Sequence, residues 1–308
     1  MRNKLKYIVK KILPWKLYKL VTNGFCIVPA YYRAAISDLE KYFDLSLENN
    51  EGKDVLLARK YAHIVDKGMH SDNVSVGHSG LYYQLLKSKM EKLDSATLVN
   101  DPSLIWVKDR INKYETLQTE GAANFPLGTL SELLSNKDDL SCENLVELIK
   151  FRRTNRSFKE MLLSSEDVNK MLEVVHWSAS SCNKQPIKVF YSLEPSLNSK
   201  GMQCCKGATC FSSFVPGFFV FCADSRGYVW PLEYQLPSID VSLGAQNFFL
   251  VGTTLGISGS ILTWSQKTKE DEIHLRTLFQ IPDHYIIVFC AAMGYAKRIS
   301  QTPSRKKE

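Results

Sequence analysis

Three arginines fall within five residues in the run Phe151-Arg152-Arg153-Thr154-Asn155-Arg156-Ser157-Phe158, with the Thr154 hydroxyl between them. A guanidinium offers planar, paired donors, so such a run suits a phosphate or a polarised carbonyl system; its plainer reading is a solvated charge run. A second segment, Ser178-Ala179-Ser180-Ser181-Cys182-Asn183-Lys184-Gln185-Pro186, packs hydroxyl and amide side chains into a few residues. Alone it is only a turn. A third, Gly256 to Ser265, carries glycines that would let backbone approach a flat ligand closely. Its ordinary reading is a helix C-terminus and the turn after it. The tail, with Lys297-Arg298 and then Arg305-Lys306-Lys307, is either solvated or a further hold on phosphate.

These segments need elements to place them. Ser141 can cap a helix carrying Leu145, Leu148 and Ile149 that leads into the arginine run. Ser164 and Asp167 have the spacing of a capping box ahead of Val168, Met171, Leu172 and Val175. Ile187 to Ser192 and Phe218 to Ala223 read as strands, and Tyr285 to Ala292 as a buried strand. Asp240 to Leu255 is apolar nearly all round, as in a helix at the centre of a core or an interface. Lys269 to Phe279 reads as an amphipathic helix. This succession predicts an α+β fold, a mixed or antiparallel sheet flanked by helices, over residues 142–308.

Ahead of it, residues 121–141 read as a linker and residues 1–120 as a mainly helical region. Leu56, Leu57, Tyr61 and Ile64 are expected to share one helix face, and Asn73 to Gly80 to form a loop flanked by His70 and His78. Two histidines without a third ligand are weak evidence for a metal. The start is basic and amphipathic, with Leu5, Ile8, Val9, Ile12 and Leu13 at helical spacing among lysines. Two readings stay open for residues 1–22: a helix lying on an anionic membrane surface, or an arm docked on its own domain or on a partner subunit, which is the ordinary one.

Bulk properties narrow the class. The chain has 308 residues and a formal net charge of +7, yet residues 1–37 hold eight Lys or Arg and no acid, leaving 31 basic against 32 acidic residues beyond. The excess is local, which argues against broad nucleic-acid binding. No apolar run is long enough to span a bilayer and no secretory signal is legible, so the expected compartment is the cytoplasm, with the eight cysteines as free thiols. Cys204, Cys205 and Cys210 match no standard zinc spacing. A Gly-x-Gly-x-x-Gly after a strand and a P-loop are both absent, which argues against a Rossmann dehydrogenase or an NTPase.

Taken in order, the four segments resemble the nitroreductase family over roughly residues 142–306. The matching stretches are Arg152 to Phe158, Ala179 to Pro186, Asp240 to Gly259, and Met293-Gly294-Tyr295 followed by Arg305. The resemblance implies FMN as cofactor, NAD(P)H as electron donor, a small-molecule acceptor, and a homodimer with FMN at the interface. It implies that Arg152, Arg153 and Thr154 contact the FMN phosphate and ribityl chain. Arg156 would sit by the N1–O2 edge, and Gly259 would bring backbone near the ring. Ser180, Ser181, Asn183 and Gln185 would approach from the partner subunit, and Arg305 would return to the phosphate. No catalytic side chain is implied, because the cofactor carries the chemistry.

Departures from the family pattern are Ala179 for proline, Ser258 for glycine, and a short Pro195 to Phe214 segment. The last leaves an alternative open: a degenerate member acting as a binding or assembly partner without flavin turnover. Ala62 to Gly68 and Thr263-Trp264-Ser265 are similar to a subgroup linked to bacterial surface-polysaccharide synthesis.

Overall fold

The computed structural model describes residues 28–48, 50–70, 74–121, 141–265, 267–298 and 305, for 28–35 and 37 only in their backbone. The basic segment expected over 1–22, and all but the two end residues of the expected linker, lie outside these.

Among the described residues five helices come first: α1 (Val28–Leu47), α2 (Glu51–Met69), α3 (Gly80–Met90), α4 (Ser95–Asn100) and α5 (Pro102–Glu120). Asn50 caps α2, and Asp101 caps α5 just ahead of Pro102. Both side-chain oxygens accept an otherwise orphaned helix N–H. The buried face of α2 is Val55, Ala58, Ala62, Val65 and Met69. The expectation for α2 is therefore corrected: Leu56 is buried, but Leu57, Tyr61 and Ile64 are only partly covered. The small Ala58 and Ala62 let α2 approach α3 and α5 closely, around Leu86, Leu104 and Val107. Gly68 leaves room for His78, whose ring carbon would lie 2.2 Å from a Cβ placed there.

The second half contains α6 (Cys142–Phe151), α7 (Ser165–Glu173), β1 (Ile187–Ser192), α8 (Pro195–Gln203), β2 (Gly217–Asp224), α9 (Leu236–Thr254), β3 (Ile257–Leu262), α10 (Lys269–Phe279) and β4 (Tyr285–Tyr295). The strands form one antiparallel sheet in the order β1-β2-β4-β3. Every residue of β2 is buried. Its alternation sends Phe219, Phe221 and Ala223 into a core with α7 and α9. Phe218, Val220 and Cys222 go to the other face, toward α8 and α10. The α+β fold expected from the sequence is the fold observed.

Two expectations change. Of Gly256 to Ser265 only Gly256, with φ of 73°, belongs to the turn after α9, because Ile257–Leu262 pairs with β4 along its whole length. Pro195 to Phe214, for which no element was expected, opens with α8, started by Pro195 at its first turn. The capping box at Ser164 is half formed: Ser164 accepts from Asp167 N at 3.0 Å, while the Asp167 carboxylate takes the Tyr295 hydroxyl at 2.8 Å.

The helical region rests on the second half. The Tyr42 and Trp230 rings lie 5.4 Å apart. Arg226 donates to Asn50 Oδ1 at 2.8 Å, and Arg59 to the Lys184 carbonyl at 3.3 Å. Among the described residues no helix is long and apolar enough to cross a membrane.

Candidate functional site

The arginine run follows α6 directly and is clamped to the β3–β4 side of the sheet. Thr154 forms a parallel bridge with Gly259, and Asn155 N donates to Gly259 O at 2.9 Å. The buried Asn155 side chain folds back on Ser157, accepting from its N–H and donating to its carbonyl. Phe158 then bridges Ala296, and Lys297 N donates to Ser157 O at 3.0 Å. Backbone pairing thereby joins the stretch that carries Arg152 and Arg156 to the one that carries Lys297 and Arg298. Among the described residues none of these four forms an ion pair with a carboxylate. Uncompensated guanidinium and ammonium groups suit a phosphate. Arg153 turns back on carbonyls of its own chain, those of Lys150 and Arg152. Arg156 lies over the Phe211 ring, 5.8 Å from its centroid. Arg305 is exposed.

Gly259 has a structural demand of its own. A Cβ there would lie 2.0 Å from the Ala292 carbonyl oxygen and 2.3 Å from the Met293 sulfur. The close approach it permits is first of all that of β4.

The second loop lies at the far end of α9. Cys182, Asn183 and Gln185 all have φ of 52°, left-handed backbone that non-glycine residues adopt at a cost. Side chains hold it there. The Asp240 carboxylate accepts from both the Ser181 N–H and its hydroxyl at 2.9 Å, and its other oxygen accepts from the Tyr228 hydroxyl at 2.9 Å. Ser180 Oγ accepts from Gln185 N at 3.1 Å, and Gln185 Nε2 donates to Asn183 Oδ1 at 3.3 Å. Lys184, fully buried, donates to Glu233 at 2.7 Å with its ammonium 4.7 Å from the Tyr228 ring centroid. That ion pair and a hydrogen bond from Val229 N hold the Glu233 carboxyl below its ordinary range against the opposing effect of burial. Asp240 and Lys184 were not singled out from the sequence. One begins an apolar helix and the other looks like a solvated loop residue, and their partners lie 59 and 49 residues away.

One chain therefore gathers the predicted residues into two groups. Arg152, Arg153, Thr154, Arg156 and Gly259 lie on the β3 side. Ser180, Ser181, Asn183 and Gln185 lie ahead of β1, the opposite edge strand. Three strand spacings, about 14 Å, separate the edges within one sheet.

Asn183 and Gln185 open onto a cleft of about 850 Å³ between this loop and the helical region, with Arg59, Trp106, His176 and Lys188 also on its walls. The volume is that of an ordinary small-molecule site. Arg59 spans the two halves, reaching Ser103 and Asp101 at 2.6 Å as well as Lys184 O. Burial, then the charges of Arg59 and Lys188, hold the His176 imidazole below its usual range. Among the described residues no cluster of His, Cys, Asp and Glu could hold a metal ion.

Residues 149–195 match a family model described as the nitroreductase family. An Archaeoglobus fulgidus protein, provisionally named an NADH dehydrogenase/NAD(P)H nitroreductase, is 27% identical over 158 residues, covering 50% of this chain and 87% of its own. A Bacillus subtilis protein named FMN reductase (NADPH) is 23% identical over 176 residues, covering 51% of this chain and 68% of its own. Among solved structures, an FMN-dependent nitroreductase from Clostridium difficile is 19% identical, with a TM-score of 0.46, over 52% of this chain and 91% of its own.

Proposed function

We propose, from the premise that this chain belongs in its C-terminal half to the nitroreductase family, that this half is an FMN-dependent NAD(P)H oxidoreductase. The observation that carries the reading is that Arg152, Arg156, Lys297 and Arg298, which form no ion pair with a carboxylate among the described residues, lie on stretches joined through the Thr154–Gly259 and Phe158–Ala296 bridges. That donor set fits the phosphate of FMN. Relatives named as an NAD(P)H nitroreductase and an NADPH-dependent FMN reductase support the choice of cofactor and donor.

When bound, FMN supplies hydride acceptance at N5 and delivery of two electrons in a second half-reaction. The protein binds and orients. Arg152 and Lys297 would hold the phosphate end, with Arg305 returning to it from the tail. Arg153 stiffens the turn after α6, and Thr154 fixes the run to β3. Arg156 would supply a permanent cation near the part of the flavin that gains negative charge on reduction, and so would favour the reduced form. The loop from Ser180 to Gln185, held by Asp240 and Lys184, gives the other wall.

We assign that wall to a second subunit. The two residue groups stand at opposite edges of one sheet, so a homodimer brings one copy's arginines to the other's loop. Leu145, Val146, Ile149 and Phe151 on α6, and Ile239 and Leu243 on α9, are exposed in the single chain. Apolar residues grouped in this way mark a surface that another protein covers. The acceptor is a small molecule. The likeness of Ala62 to Gly68 to the polysaccharide-linked subgroup supports a role in surface-polysaccharide synthesis as the finer reading.

Purified protein should be yellow, and anaerobic NADH or NADPH should bleach the flavin band. Protein that is colourless and takes up no added FMN would overturn the reading.

A further inference from the structure

The cleft beside Asn183 and Gln185 has walls from both halves of the chain: Gly52 to Arg59 of α2 and Asp101 to Trp106 on one side, His176 to Lys188 on the other. Its charge is uneven. The lining carries three permanent cations, Arg59, Lys188 and Arg226, against two carboxylates, Asp101 and Asp224. Arg59 is paired with Asp101 at 2.6 Å, and Arg226 with Asp224. Lys188, exposed on β1, forms no ion pair with a carboxylate among the described residues. His176 lines the same wall, its cationic form disfavoured by burial and by the Arg59 and Lys188 charges. The excess is one positive charge. Trp106, Trp177 and Tyr285 supply flat apolar surface around it, and Trp177 is 81% exposed.

We propose, resting on the reading of the neighbouring loop as flavin-facing, that this cleft is the acceptor pocket and that it selects flat aromatic acceptors bearing one carboxylate. The aromatic side chains cover the ring, and Lys188 takes the carboxylate while a His176 ring N–H donates a hydrogen bond to it. A doubly charged phosphate fits less well, since Asp101 and Asp224 remain on the walls and only one cation lies uncompensated. The helices of residues 51–106 are then a specificity wall added to the oxidoreductase half.

The test compares para-nitrobenzoate with its neutral methyl ester as acceptors for the FMN-loaded full chain. In each turnover the nitro group and one NADH with one proton yield the nitroso group, NAD+ and water, a two-electron exchange. The acid should exceed the ester in kcat/KM by about tenfold, and Lys188→Glu should abolish that preference through KM for the acid. Equal kcat/KM for acid and ester, with no response to Lys188→Glu, would overturn the pocket assignment while leaving the flavin reading intact. A rise in KM for NADH alone would give the cleft to the donor and likewise overturn it. Calorimetry with benzoate as the probe separates the two readings if the protein takes up no FMN. Benzoate binding lost in Lys188→Glu supports the anion site, and no binding to the unsubstituted chain removes it.

Discussion

The Lys184 ammonium is entirely shielded from solvent and sits 2.7 Å from a Glu233 carboxylate oxygen. The pair ties the loop that carries Asn183 and Gln185 to the segment ahead of α9, and it bears directly on how well that loop keeps its left-handed backbone. Replacing Lys184 by Met leaves Glu233 without its cation. Removing one partner of a buried pair costs about 3–5 kcal/mol, toward the lower end here because Glu233 keeps some solvent and the Val229 N–H. Urea unfolding of Lys184→Met should show that loss, and Lys184→Met with Glu233→Gln should recover part of it. An unchanged midpoint in the single variant would show that the pair does not hold the loop.

Asp240 holds the other side of the same loop. Asp240→Ala removes the acceptor for two Ser181 donors and for the Tyr228 hydroxyl. Each orphaned donor costs about 1–3 kcal/mol. Besides lower stability, the variant should bind FMN at least about tenfold more weakly, since a strained loop without its anchor reverts to ordinary backbone. Fluorescence titration with FMN reads the affinity, and wild-type affinity would separate the loop from the cofactor.

Gly259→Ala tests the sheet. The added methyl meets a backbone carbonyl, which cannot swing aside as a side-chain tip does. A penalty of about 3 kcal/mol is expected, at the upper end for overpacking, measured as a fall in Tm. A neutral substitution would mean that β3 and β4 are less tightly paired than their register indicates.

The thiols should divide by burial. Cys142 and Cys210 are exposed, whereas Cys204, Cys205, Cys222 and Cys290 are buried. Burial pushes the Cys204 thiol up to about 11 and those of Cys222 and Cys290 higher still. Iodoacetamide at pH 8 followed by peptide mass spectrometry should label Cys142 and Cys210 first. A thiol whose pKa is raised by folding stabilises the folded state below its unfolded value. Stability should therefore be intact below about pH 9 and fall as pH climbs toward 11. Rapid labelling of Cys290 in native protein would contradict the core.

Much of this was legible locally. Ile187–Ser192 and Lys269–Phe279 occupy the bounds their patterns predict, and Ser141 and Ser164 cap as their spacing indicates. What escaped depends on distant partners. Ile257–Leu262 has two serines and a glycine in six residues, a poor strand by composition. It is one because β4 runs beside it. Lys184 reads as loop filler until Glu233 is placed against it. The cleft is invisible in the sequence, since its opposite walls come from segments far apart in the chain, Gly52 to Trp106 and His176 to Lys188. The site residues that could be named were those whose chemistry is carried by a short motif. Their division between two edges of the sheet follows from topology alone.

Native mass spectrometry of the purified full chain reads subunit number and flavin load together. The expected species is a dimer carrying two FMN, falling to flavin-free monomer when Leu145 and Ile149 on α6 are both changed to Glu. A monomer that keeps its FMN, or a dimer that never takes any, would contradict a flavin held between the arginines of one copy and the Ser180 to Gln185 loop of the other.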